Sequence, residues 1–117
     1  MIEIRFYTTE SGNEPVREWL KDLDRLEKKD IGNDLQTVQL GWEHNLIGEP
    51  LVKSLGSSLF EVRSTLSSSK RIARIFFCVF HKKIILLHAF IKKTQKTPDK
   101  EIELARKRQV SLKNKVM

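Results

Sequence analysis

A chain of 117 residues, 39% hydrophobic and 32% charged, has the size of one domain, here spanning 1–117, and a composition that excludes a disordered protein. Its single cysteine, Cys78, excludes an internal disulfide, and its longest apolar runs, Ile75–Phe80 and Ile84–Ile91, are too short to span a bilayer. The net charge of +7 is uneven: residues 1–49 hold 6 Lys/Arg against 11 acids, residues 50–91 hold 7 against Glu61 alone, and residues 92–117 hold 9 against 3. That asymmetry points to a polyanion-binding face on one part of the fold. The opening MIEIRFYTTE has no apolar signal core, which with the lone thiol fits a cytoplasmic protein without a membrane segment.

Ile2, Ile4 and Phe6 alternate with Glu3, Arg5 and Tyr7, which predicts a strand with one buried face. Asn13-Glu14-Pro15 opens a helix with Asn13 as its cap, and Val16, Trp19, Leu20, Leu23 and Leu26 recur at helical spacing. Asp30 restarts a helix whose apolar face carries Ile31, Leu35, Val38 and Trp42, so the pair forms a helical hairpin. Gly48-Glu49-Pro50 ends the helical part. Leu51–Leu55 and Leu59–Leu66 follow as strands, the second with Glu61, Arg63 and Thr65 on one face and Phe60, Val62 and Leu66 on the other. Ile72–Phe80 and Ile84–Ile91 read as central strands covered on both faces and joined at His81-Lys82-Lys83. Thr97 caps a last helix with Pro98 at its first position, and residues 112–117 form a frayed tail. The expected fold is α+β: an antiparallel sheet with an N-terminal helical hairpin on one face, a C-terminal helix, and a second face partly open and basic.

No Gly-rich phosphate loop or paired metal-ligand spacing is present, and residues 50–91 hold one carboxylate. Metal-dependent nuclease chemistry is therefore not expected, and no cofactor is implied. Metal-free RNA cleavage needs a base for the 2′-hydroxyl, a cation for the phosphorane oxygens and an acid for the leaving 5′-oxygen. Arg74 interrupts an apolar strand and shares its face with Phe76 and Cys78. A charge there either reaches a site or is buried in an ion pair with an acid from the helices. Arg63, on the adjacent strand, and Arg71, nearer the turn, extend the cluster. His88, assigned the strand parity of Ile84, Leu86 and Phe90, is a candidate base or phosphate contact, although such a histidine is more often a satisfied core residue. Lys92-Lys93-Thr94-Gln95-Lys96-Thr97 places lysines and hydroxyls ahead of a helix N-terminus, a composition suited to phosphate. Cys78 has no Cys/His spacing and is most simply a packed thiol.

The segments Leu59-Phe60-Glu61-Val62-Arg63, Arg74-Ile75-Phe76-Phe77, Leu86 to Pro98 and Glu101 to Ala105 together resemble the phage-derived HigB-like toxins of the RelE superfamily. Those proteins show an L-x-E-x-R strand, an aromatic-Arg-hydrophobic strand and an L-x-x-F-x-K-K-T-x-K-T-P run before a final helix. Ala73 stands where the family often has an aromatic, which removes a base-stacking group. The resemblance implies a RelE-like fold and a type II toxin that cleaves mRNA in the ribosomal A site without metal. It also implies neutralisation by a HigA-like helix-turn-helix antitoxin, with the complex binding operator DNA. Residues matching Arg63, Arg74, Lys92 and Lys93 would line the catalytic site, with Glu61 and His88 as further candidates and Arg71, Lys96 and Thr97 as RNA contacts. A ParE-like gyrase inhibitor of the same fold and a non-enzymatic nucleic-acid-binding module are the alternatives.

Overall fold

The computed structural model describes residues 1–92 and 98–115, with side chains through Asn114. The elements are β1 (Glu3–Phe6), α1 (Pro15–Lys21), α2 (Arg25–Gly41), β2 (Val52–Ser54), β3 (Phe60–Thr65), β4 (Ile72–Phe80), β5 (Lys83–Lys92) and α3 (Asp99–Lys115), with a 3-10 turn at Trp42–His44 after α2. The strands form one sheet in the order β1-β5-β4-β3-β2. β2 to β5 pair antiparallel along the chain, as their short connections require. β1 instead pairs parallel to β5, from Glu3 opposite Lys83 to Phe6 opposite Leu86. The sheet is therefore mixed, where a purely antiparallel one was expected. Alternation shows that a segment is a strand but carries no information on its direction, and the long excursion through α1, α2 and three strands allows the parallel return.

α1 and α2 lie on the first sheet face. Val16, Ile31 and Val38 are buried there against Val62, Ile75, Phe77, Ile84 and Leu86, with Trp19, Leu20, Leu35 and Trp42 around them. α1 packs mainly on β5 and α2 on β3, so each helix is held by the sheet rather than by its neighbour. The break between them falls at Asp22–Asp24, not before Asp30. Asp24 caps α2: its carboxylate accepts from Glu27 N at 2.8 Å, and Glu27 Oε1 accepts from Asp24 N at 3.2 Å. Such reciprocal caps hold helix starts by about 0.5–2 kcal/mol, and this one overrides the apolar spacing that suggested one helix through Leu26, which is 56% exposed. Asn13 does not cap α1. The cap position is Glu14, with Pro15 opening the helix.

β4 and β5 are the central strands, buried on both faces as their sequences suggest. They are joined by the two-residue turn His81-Lys82, both with positive φ, the geometry whose twist matches the flanking strands. A bulge interrupts their pairing: Phe76 opposes His88 while Phe77 opposes Leu86, leaving Leu87 as the extra residue. Beyond the bulge the parity of β5 reverses. His88 and Phe90 therefore face away from Ile84 and Leu86, contrary to the alternation assumed from the sequence.

α3 covers part of the second face, where Ala105, Ile102 and Leu112 pack with Tyr7, Leu59, Phe76, Cys78, Ile85 and Leu87. Its apolar stripe is thin, and polar contacts complete the seal. Arg106 donates to the carbonyls of Leu55 (3.0 Å) and Gly56 (2.9 Å), and Gln109 Nε2 to Ser57 O (3.1 Å). Arg108 Nη1 donates to the carbonyl of the bulged Leu87 at 2.7 Å. α3 is helical to Lys115, so Leu112 belongs to the packed helix and not to a frayed tail. Among the described residues no helix is long and apolar enough to cross a membrane.

Candidate nucleic-acid interface

From beneath the edge of α3 outward, the second face is a grid of cross-strand neighbours. Lys53, Glu61, Phe76 and His88 form one row across β2 to β5, Arg63, Arg74 and Phe90 the next, and Thr65, Ile72 and Lys92 a third. Each row follows from alternation within a strand and register between strands. The grid brings together four residues singled out from the sequence: Glu61, Arg63, Arg74 and Lys92.

Glu61 is fully buried and Arg74 is 5% exposed. Arg74 Nη1 donates to Glu61 Oε1 at 2.5 Å, and Arg63 Nε donates to the same oxygen at 3.2 Å. Arg74 is thus in an ion pair, but its acid comes from the neighbouring strand and not from the helices. Two guanidinium groups share one carboxylate, and Arg74 Nε is buried with no hydrogen-bond acceptor among the described residues. Arg63, Arg74, Thr65 and Ile72 also line an open cleft of about 600 Å³ whose far wall is Pro50, Leu51 and Asp34. Lys92 lies two residues beyond Phe90 on the same face. Desolvation, then the nearby cations Arg74, Arg63 and Lys53, push its pKa below the ordinary lysine value, with Glu61 opposing them. Lys53, the fourth strand's contribution to this field, is invisible in the sequence because only register places it beside Glu61.

The remaining candidates are placed differently. Arg71 Nη2 donates to Glu27 Oε2 at 2.5 Å. Two further acids of α2 hold the same hairpin: Asp30 accepts from Ser67 N at 2.8 Å, and Asp34 accepts from Ser64 Oγ at 2.6 Å. Spaced by three and four residues, Glu27, Asp30 and Asp34 occupy one helix face. Arg71 accordingly ties down the turn that orients Arg63 and Arg74. Lys93, Lys96 and Thr97 lie outside the described residues. Ala73 is fully buried on the α2 side of the sheet, so an aromatic there would not face Arg74. The aromatic beside Arg74 is Phe90, itself packed edge-on to Phe76 at 5.5 Å.

His88 sits between the sheet and α3. Its Nε2 is 3.3 Å from Glu101 Oε2, its Nδ1 is 3.5 Å from Arg108 Nη1, and its ring stacks on Phe90 at 5.7 Å. Desolvation lowers its pKa below 6.5; Glu101 opposes the shift and Arg108 adds to it. The folded protein therefore resists protonation there more than the unfolded chain does. By linkage, this contribution to stability is present above about pH 6.5 and is lost as pH falls through the folded value. Melting temperature should fall on acidification in that window, and His88→Gln should flatten this part of the curve. Identical wild-type and variant profiles between pH 7 and 5 would remove His88 from the effect.

A mixed sheet with helices on both faces and an arginine-rich open end defines a small basic α+β protein, an arrangement compatible with a RelE-like fold. The family model for "Phage derived protein Gp49-like (DUF891)" matches residues 18–110. The chain belongs to that family, a phage-derived, toxin-like module related to the RelE-type endoribonucleases. No curated protein matches the chain significantly.

Proposed function

We propose that the chain is the toxin of a HigB-type type II toxin–antitoxin pair, a cytoplasmic endoribonuclease that cuts mRNA in the ribosomal A site without metal. A HigA-like helix-turn-helix antitoxin would neutralise it. The observation that carries this reading is the surplus of fixed positive charge around one buried carboxylate. Arg63 and Arg74 share Glu61, Arg74 Nε has no acceptor among the described residues, and Lys92 and Lys53 add to the field. An anion with several acceptor oxygens satisfies such a group, and the planar forks suit phosphate.

In the proposed reaction the 2′-oxygen attacks the adjacent phosphorus, a 2′,3′-cyclic phosphate forms and the bond to the 5′-oxygen breaks. Arg74 and Arg63 hold the nonbridging oxygens, where negative charge grows. Lys92, its pKa lowered by burial and its cationic neighbours, takes the 2′-proton as a free amine more readily than an ordinary lysine. The leaving 5′-oxygen takes a proton from a remaining ammonium group of the grid. Glu61 is held as an acceptor between two arginines, which leaves it to position them.

Expression of the chain alone should arrest growth and introduce cuts in translated mRNA, mapped by primer extension. Intact transcripts with inhibited DNA supercoiling would instead assign a gyrase inhibitor. The only acid in residues 50–91 is Glu61, already engaged by Arg63 and Arg74. Purified protein should therefore contain no stoichiometric metal by elemental analysis, and one bound ion per chain would refute the metal-free reaction.

A further inference from the structure

A second cleft lies on the same sheet edge and, apart from Lys53, plays no part in the reaction above. It has a volume of about 610 Å³ and is lined by Trp42, Asn45, Phe60, Lys53 and Ser54, with Gly48 and Glu49 at one side. The size is that of a small-molecule site. Trp42 and Phe60 meet edge-on, their ring centroids 5.1 Å apart, and Phe77 supports both from the core. Both rings are only partly buried, whereas Phe77 behind them is fully covered. The exposed aromatic surface is thus rigidly backed and rimmed by hydrogen-bonding groups.

Its position relative to the arginine cleft is the second observation. Gly48 to Lys53 is one continuous segment. Pro50 and Leu51 wall the cleft containing Arg63 and Arg74, while Gly48, Glu49, Val52 and Lys53 wall the aromatic one. Lys53 is the cross-strand neighbour of Glu61, and its charge is felt at Lys92. The aromatic cleft opens on the α2 side of the sheet and the arginines lie on the opposite face, so an RNA strand joining the two would round the β2 edge, where Lys53 stands beside Glu61.

We infer that the Trp42–Phe60 cleft is a recognition subsite for an unpaired nucleobase flanking the scissile phosphate, with Lys53 on the intervening backbone. The inference rests on the RNA-cleaving reading proposed above. Single-stranded RNA is recognised by stacking splayed bases on aromatic side chains and by hydrogen bonds to their edges. Trp42 supplies the stacking surface. Asn45 and Ser54 lie at the rim with exposed side chains, and both donate and accept.

The test is the base composition around the cuts. Trp42→Leu fills the wall but removes the ring; Trp42→Phe restores an aromatic. Asn45→Asp, which suits the left-handed backbone there (φ 57°), and Ser54→Ala, which gives up one exposed hydrogen bond from Gly56 N, change the rim groups and carry the test if Trp42→Leu does not fold. Wild-type cuts should show a base preference at one flanking position. Trp42→Leu should reduce that preference by about tenfold, Trp42→Phe should recover part of it, and the rim variants should change which base is favoured. If the wild type cuts mRNA and all four variants give its map unchanged, the cleft is not a base subsite while the proposed function stands. If the wild type cuts no RNA, the proposed function fails and the subsite with it. An unchanged map with tryptophan fluorescence that depends on protein concentration in the wild type but not in Trp42→Phe, which keeps Trp19, would assign the cleft to a second copy of the chain and overturn the inference.

Discussion

Arg74→Ala should lower mRNA cleavage on the order of 10²–10³-fold, the usual cost of losing one fixed donor to a developing oxyanion. Arg74 is held in place by its strand and by Glu61, and is nearly excluded from water. A cation so fixed needs no reorganisation when charge develops on the phosphate, and it acts through a lower dielectric than a surface arginine. Arg74→Lys should be nearly as poor, since an ammonium cannot serve Glu61 and two phosphate oxygens together. The same substitution has a structural cost, because Arg74→Ala removes one of the two guanidinium groups that, among the described residues, hold a fully buried carboxylate. Arg63 still contacts that carboxylate at 3.2 Å, so the loss of stability should fall at or below the lower end of the roughly 3–5 kcal/mol seen when a buried pair is broken. Cleavage and melting temperature must therefore be measured on the same preparation, at a temperature where the variant is folded. Folded Arg74→Ala protein with wild-type cleavage would show that Arg74 is only structural.

Alternation in β3 places Glu61, Arg63 and Thr65 on one face, and the apolar run of β4 makes Arg74 conspicuous because a charge there needs a partner. Both strands are regular, so sequence parity and spatial parity agree. β5 is not regular. Its run Ile84–Ile91 is apolar on both faces, so nothing in its pattern betrays the bulge at Leu87. Simple alternation therefore puts His88 on the wrong face relative to Ile84 and Leu86. Residues 1–49 hold most of the acids, so composition points to the helices for the partner of Arg74. Three of those acids, Glu27, Asp30 and Asp34, are instead committed to the β3–β4 hairpin. The direction of β1 and the place of Lys53 depend on which strand lies beside which, and single-strand patterns do not contain that information. The helix break was legible in principle. Asp24 and Glu27 have the spacing of a capping box, but the apolar spacing around them drew the boundary elsewhere.

Glu61→Ala should be the most destabilising substitution at the site, by roughly 3–5 kcal/mol. Glu61 has no exposed surface, and its removal leaves Arg74, also buried, without its anion. The desolvation already imposed on that guanidinium is then uncompensated. Glu61→Gln keeps the volume and one acceptor but removes the charge, so it should lie between wild type and Glu61→Ala. A double replacement, Glu61→Leu with Arg74→Met, removes both charges and fills their space. It should recover much of the stability, because apolar substitutes for a buried ion pair are often neutral or better. It should not recover cleavage, since the phosphate-binding fork is gone. The two readouts therefore separate the two roles of the pair. Stability depends on the match between Glu61 and Arg74, and activity depends on Arg74 being a cation. Urea denaturation of the three variants and the wild type measures the first, and primer extension on mRNA the second. A double variant no more stable than Glu61→Ala would mean that the pair's packing, rather than its charge balance, holds β3 to β4. Cleavage retained in the double variant would place the phosphate elsewhere on the sheet.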